Sequence, residues 1–293
     1  MITFKSLGKL GRLGNQMFQI ASTIGIAKRN AVDYCFPHWE YKDFFCKSLP
    51  YKNIEINQKL MEGKSDFRYV NLSENPNHTE NHNYNLFGYL QSYKYFEECK
   101  DDVLSYFELK EEYLNYIKSK YTNTHNQTSI HVRRTDYVTL QNFHVLLNME
   151  FYRKAIETVG KDNEFLIFSD DIDWCKENFK DYNCQYVEER PHDININSTP
   201  QDANWSGGML CPKELDSLKY RKEDVIELFL MSMCKNNIIA NSSFSWWAAY
   251  INKNEEKKVV CPSHWFMPAR IQQTYVDVHG YMDHRVPQDW IRI

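Results

Sequence analysis

The 293-residue sequence has no excess of one charge, no long apolar run and no closely spaced cysteines, and each absence excludes a class of protein. Its 35 Lys and Arg against 39 Asp and Glu leave a net charge of -4. Such a chain has no global field for nucleic acid, so any phosphate must be held by a few local arginines or backbone amides. No apolar stretch approaches the roughly 18 residues of a membrane-spanning helix. The 8 cysteines include no C-x-x-C, which argues against a zinc ribbon or dithiol redox site. Most read as buried, reduced thiols. The first six residues are not a signal peptide. A cytoplasmic protein is therefore expected, peripheral at a membrane at most, and the sequons at Asn71, Asn126 and Asn204 would matter only in a secreted one. The G-x-S-x-G elbow, the Walker A loop and H-E-x-x-H are missing as well.

What is present is alternation of short apolar runs with helical periodicity. Residues 2–7 read as a strand and Gly8, Gly11 and Gly14 as a tight loop. With Asn15 as a plausible N-cap, Met17, Ile20, Ala21, Ile24 and Ala27 keep a helical period. Residues 32–36 suit a second strand, 40–85 resist assignment, and 96–121 is helical with charged faces. Further on, strands are expected at 129–132, 165–168, 185–187, 237–240 and 258–261. Helices are expected at 149–159, from 171 to 179, and at 224–234 and 245–252. Strands alternating with helices predict an α/β protein with parallel sheets, in which ligands bind beyond the carboxyl ends of the strands. The polar motifs sit at those ends. Residues 190–222, with their prolines and glycines, read as a long lid or binding loop.

Four motifs could carry chemistry. Gly11-Arg12-Leu13-Gly14-Asn15-Gln16 opens a helix, where backbone amides can meet an anion, although glycines alone could be only a turn. His131-Val132-Arg133-Arg134-Thr135-Asp136 ends a buried strand with two guanidiniums, costly to bury without an anion and shaped for phosphate. One of them could instead pair with Asp136, and strand alternation leaves one facing a ligand. Ser169-Asp170-Asp171-Ile172-Asp173 offers a carboxylate for guanine and also a D-x-D of the kind that holds a metal. An N-cap with acidic residues in the first helical turn explains Asp171 and Asp173 better than a metal does. Asn241-Ser242-Ser243-Phe244-Ser245 brings hydroxyls and free amides to a helix start, more than a simple cap needs. The many aromatic residues would suit sugar faces, but most such residues are core.

At these residues the sequence resembles glycosyltransferase family 11, the α-1,2-fucosyltransferases. The segments are GRLGNQMFQ (11–19), GYLQSYKYF (88–96), HVRRTDY (131–137), FSDDIDWC (168–175) and LMSMCKNNIIANSSFSWWAAYIN (230–252). The resemblance implies a GT-B-like fold, two Rossmann-like domains facing across a cleft. Residues 1–125 would be mainly acceptor-side and 126–293 would bind GDP-fucose, with 190–222 as a loop insertion. It implies an inverting transfer from GDP-β-L-fucose to the 2-hydroxyl of a galactose-terminated oligosaccharide or glycolipid, with no metal and no other cofactor. Arg134 would clamp the diphosphate, Ser242, Ser243 and Phe244 would contact the β-phosphate, and Asp170 and His131 would hold the guanosine. Asn15 would approach the reacting end. Arg12, Gly14, Arg133 and Ser169 complete the expected donor set. Asp136 and Glu40 are the carboxylates to test for the acceptor proton, with Asp136 expected to orient an arginine rather than act as base. The rival readings are a metal-dependent glycosyltransferase using Asp171 and Asp173, and a non-enzymatic glycan-binding protein.

Overall fold

A computed structural model of the chain describes residues 1–62, 82–141, 144–188, 223–267 and 281–293. The readings for the 190–222 loop, Cys211 and the sequons at Asn71 and Asn204 lie outside those residues.

Two parallel sheets organise the described chain. The first joins β1 (Ile2–Thr3), β2 (Tyr34–Cys35), β3 (Gln58–Met61) and β4 (Tyr84–Phe87) in the order β2-β1-β4-β3. The second joins β5 (Gln127–Val132), β6 (Glu164–Ser169), β7 (Cys184–Tyr186), β8 (Asn236–Ile238), β9 (Val259–Cys261) and β10 (Ile291–Arg292) in the order β10-β9-β8-β5-β6-β7. Every pairing in both is parallel. The connections run through α1 (Leu13–Arg29), α2 (Lys100–Ser105), α3 (Glu111–Lys120), α4 (Thr135–Thr139) and α5 (Met149–Val159). They continue through α6 (Ile172–Asn178), α7 (Glu223–Ser232), α8 (Ser243–Ile251) and α9 (Tyr281–Arg285). None of the described helices is long and apolar enough to cross a membrane.

Parallel strands covered on both faces normally read as continuous apolar runs. β5 is buried throughout yet holds Gln127, Thr128, Ser129 and His131. Cross-strand partners make this possible: Asn236 donates to Thr128 Oγ1 at 3.1 Å and Asn237 to Ser129 Oγ at 2.7 Å. Asn252 in turn donates to Asn237 Oδ1 at 2.8 Å. The buried polar side chains of β5 therefore keep partners, which is what burial demands.

The two sheets share one aromatic core. Phe18 of α1 lies 4.5 Å from Trp246 and 5.1 Å from Trp247 of α8, centroid to centroid. Phe96 stacks on Trp247 and Trp246 stacks on Tyr250. Both tryptophans are 0% exposed, so these rings of the 241–247 motif are core rather than sugar platforms. Among the described cysteines, Cys35, Cys175, Cys234 and Cys261 are buried free thiols, whereas Cys46 is exposed.

α1 begins earlier than its sequence suggests. Its first residue is Leu13 and Arg12 occupies the N-cap position without a side-chain cap, so Asn15 lies inside the first turn and is not the cap. Gly8 and Gly11 both take φ of 81°, a left-handed conformation open to glycine, and this turns the chain into the helix ahead of Asn15. The loop is then tied down from the helix by Gln16 Nε2, which donates to Gly11 O at 3.1 Å, and Gln19 Nε2, which donates to Leu10 O at 2.7 Å.

Candidate active site

The carboxyl ends of β1 and β8 lead to the same place, because the helices that follow them abut at their N-termini. A Cβ added to Gly14 would lie 2.6 Å from Phe244 N and 2.6 Å from Ser243 C. Gly14 thus sits where α8 comes too close to α1 for a side chain. Beside it, Ser243 Oγ donates to Asn15 Oδ1 at 2.7 Å and Gln91 Nε2 donates to the same oxygen at 2.5 Å. Ser242 caps α8 by accepting from Phe244 N at 3.4 Å. Arg12 stands at the start of α1 with a buried Nη2 that has no hydrogen-bond partner among the described residues. Two helix N-termini, their hydroxyls and a guanidinium nitrogen without a partner among the described residues are groups that could receive an anion.

The second wall is the loop after β5. Arg133 pairs with Asp136 at 2.7 Å and with Asp170 at 2.8 Å. Arg134 Nε donates to Asp171 Oδ2 at 3.1 Å, and its guanidinium lies 4.1 Å from the centre of the Trp174 ring. β5 ends at Val132, so strand alternation does not set the direction of either arginine, and each is already held by carboxylates. The terminal nitrogens of Arg134 make no hydrogen bond to the described residues. Asp170 accepts from Arg134 N at 2.9 Å on one oxygen, and from Thr135 Oγ1 at 2.5 Å and Arg133 on the other. Burial alone would raise its pKa, but Arg133, Thr135, the Arg134 amide and His131 hold it below the usual carboxylate range. The residue read as a guanine contact is thus also the anchor of residues 133–135.

The D-x-D residues have other work in this structure. Asp171 caps α6 by accepting from Trp174 N at 3.2 Å, and its second oxygen takes Arg134. Ser169 Oγ accepts from Asp171 N at 2.9 Å, and Asp173 is exposed in the first turn of α6. No cluster of three or more potential ligands occurs among the described residues. Glu40 starts the 3-10 turn Glu40–Phe44, next to Trp39, whose indole donates to Gln16 Oε1 at 2.9 Å.

His131 connects the two walls: its Nδ1 lies 2.8 Å from Ser245 Oγ and its ring packs on Phe244. Burial lowers its pKa to about 4, partly offset by Asp170, so the ring is neutral. His144, stacked on Tyr137 at 4.1 Å, is likewise lowered to about 4, chiefly by burial. Both folded values lie below the ordinary histidine value. The unfolded chain therefore takes up these protons first, and stability falls as pH drops from about 6.5 towards 4. Each histidine is expected to contribute a loss of about 1–2 kcal/mol at pH 5. Denaturant melts of wild type and His131→Gln at pH 7 and pH 5 test this. Equal pH sensitivity in the two proteins would remove His131 as a source.

Three residues of the site went unassigned in the sequence. Gln91 lies in the quoted 88–96 segment, but nothing in that text assigns it a role. Arg285, 2% exposed, donates from Nη1 to Gln91 Oε1 across 194 positions of sequence. Glu62 is half-buried and accepts from Tyr89 N at 2.8 Å and Leu90 N at 3.0 Å, shaping the loop that carries Gln91.

Two parallel α/β sheets whose helix N-termini and cationic loop meet at one corner form a GT-B-like glycosyltransferase fold. The chain belongs to glycosyl transferase family 11, whose family model matches residues 5–204 and 213–274. It is 34% identical over 195 residues to the O-antigen biosynthesis glycosyltransferase WbnK of Escherichia coli, covering 62% of this chain and 55% of that protein. An α-1,2-colitosyltransferase of Escherichia coli is 28% identical over 213 residues, covering 70% and 61% of the two chains. The galactoside 2-α-L-fucosyltransferase SEC1 of Bos taurus is 23% identical over 270 residues, covering 82% and 62%. The matched regions thus span a little over half the length of these curated relatives. The solved fucosyltransferase NodZ from Bradyrhizobium aligns with a TM-score of 0.48 at 12% identity, over 84% of this chain and 91% of that one.

Proposed function

We propose that the protein transfers L-fucose from GDP-β-L-fucose to the 2-hydroxyl of a terminal galactose, with inversion, giving an α-1,2-fucoside. The observation that carries this reading is the abutment of α1 and α8, which joins Asn15 to Ser243 in the helix turn that Arg12 precedes. Such a corner suits a leaving diphosphate. As the sugar–phosphate bond breaks, negative charge grows on the nucleotide, and preorganised donors aimed there supply much of the catalysis. Arg12, the terminal nitrogens of Arg134, and the amides and hydroxyls of Ser242 and Ser243 would receive it. In this reading His131 and Asp170 would help hold the guanosine. The acceptor oxygen forms the new bond to the anomeric carbon, and its proton leaves to a carboxylate or to the departing phosphate.

Asp136 is the orienting partner of Arg133 in this reading and not the base. Asp136→Asn is then expected to raise donor KM several-fold while keeping the acidic limb of the kcat–pH profile. Loss of that limb with unchanged donor KM would make it the base instead.

The transfer proceeds without a metal. Asp171 supports this, since both its oxygens already serve the chain, one on Arg134 and one on the start of α6. Activity should survive excess EDTA. Loss on chelation with rescue by manganese would restore the D-x-D reading.

The deciding experiment incubates the protein with GDP-fucose, or with a colitosyl donor, and a panel of galactosides, and reads the product linkage. An α-1,2-fucoside supports the proposal. A product only from the colitosyl donor would reassign the sugar, and no product from either would leave the glycan-binding alternative.

A further inference from the structure

A donor-only side chain buried at one end of a hydrogen-bond relay dictates the orientation of every amide along it. Arginine cannot accept a hydrogen bond. The Arg285 guanidinium is enclosed by Trp265 and Phe266, with ring centres 5.3 Å and 5.4 Å away, and α9 is pinned where Trp246 Nε1 donates to Arg285 O at 2.8 Å. Gln91 must therefore turn Oε1 towards Arg285, which leaves its Nε2 to donate to Asn15 at 2.5 Å. Asn15 must in turn present Oδ1 inward, where Ser243 Oγ donates to the same atom. The Asn15 Nδ2 group is then the end of the relay. It makes no hydrogen bond to the described residues, is not among the enclosed polar atoms, and belongs to a half-exposed side chain. Gly11 leaves the space it occupies, since a Cβ there would lie 2.2 Å from Nδ2.

The backbone around Gln91 is forced into place as well. Leu90 holds φ of 50°, a left-handed conformation that a non-glycine residue keeps only where its surroundings hold it. It is fixed there by Glu62, which accepts from its amide, and by Ser22, whose Oγ donates to Leu90 O at 2.8 Å.

We propose that Gln91 and Arg285 are positioning residues which set the polarity of Asn15, so that its Nδ2 donates towards the oxygen that gains negative charge during transfer. This rests on the reading of Asn15 as a residue of the reacting end. Neither positioning residue needs to touch the substrate.

The test is a double-mutant comparison with GDP-fucose and a galactoside acceptor, alongside GDP affinity and melting temperature. Gln91→Met is expected to lower kcat about a hundredfold, the scale of losing one aimed donor, with GDP affinity changed less than about threefold. In an Asn15→Ala background the same substitution should cost less than about threefold, because residues acting through one another are not additive. Arg285→Lys, still a donor without acceptor capacity, should keep kcat within about tenfold of wild type, whereas Arg285→Met should match Gln91→Met. If Gln91→Met does not yield folded protein, Gln91→Glu carries the comparison: it can bind Arg285 but cannot donate to Asn15. An equal loss from the Gln91 substitution in both backgrounds, or no loss in either, overturns the inference while leaving the proposed reaction intact. A wild-type rate in Asn15→Ala overturns it by removing its premise, and absence of fucosyl transfer in the wild type identifies the failure as that of the reaction itself.

Discussion

Arg134→Lys is expected to lower turnover by about two orders of magnitude or more, the effect of removing one key donor to a developing anion. The structure explains why charge alone is insufficient. Arg134 uses Nε on Asp171 and sets its guanidinium over Trp174, while its terminal nitrogens make no hydrogen bond to the described residues. Lysine has a single ammonium group and cannot pair with Asp171, cover the indole and present two parallel donors at once. Asp171 would recruit the ammonium and leave the diphosphate without it. Steady-state kinetics with GDP-fucose, together with a thermal melt to establish folding, check the prediction. Near-normal kcat in a folded Arg134→Lys protein would take the diphosphate clamp away from this residue.

Asp170→Asn should damage the protein in a second way, through the loop rather than through a single ligand contact. Three donors converge on Asp170: the Arg134 amide on one oxygen, and Thr135 Oγ1 and Arg133 on the other. An asparagine has one acceptor oxygen, so in either orientation its NH2 group faces a donor. The expected loss is about 2–3 kcal/mol, below the full cost of breaking a buried ion pair because Arg133 keeps Asp136. The Asp170 pKa is held below its ordinary value. Its contribution is therefore present above about pH 4 and is lost only as pH falls through the folded pKa. Donor affinity and turnover should fall together with stability, since residues 133–135 carry Arg134. A variant that melts like wild type yet loses its preference for guanine over adenine nucleotides would make Asp170 a base contact and not the anchor of the loop.

Most elements of the second sheet were legible because their signals are local. α5 carries Tyr152, Ala155, Ile156 and Val159 at helical spacing, and those four are the residues it buries. β6 is a short apolar run, as a strand covered on both faces should be. The region from 40 to 85 was not legible, since β3 and β4 are four residues each and take their place from pairing with one another and with β1. Asn15 was misread as a cap for a related reason. An asparagine near a helix start has a strong local preference for capping. Here Gln91 and Ser243, distant in sequence, claim its side chain instead.

The site divides along the same line. The sequence by itself determined that guanidiniums, hydroxyls and helix starts would gather beyond the carboxyl ends of parallel strands, because strand–helix alternation and motif position are properties of neighbouring residues. It also determined the family, through segments that keep their order along the chain. Only the tertiary structure decided which groups are spent on the protein and which remain for a ligand. Arg133 is consumed by Asp136 and Asp170, Asp171 by Arg134 and a helix cap, and Trp246 and Trp247 by the core, whereas Arg12 keeps a nitrogen in reserve. Arg285 and Gln91 joined the site only on folding. A hydrogen bond depends on the distance between its two groups and on their direction, and for residues 194 positions apart both are set by how the helices pack.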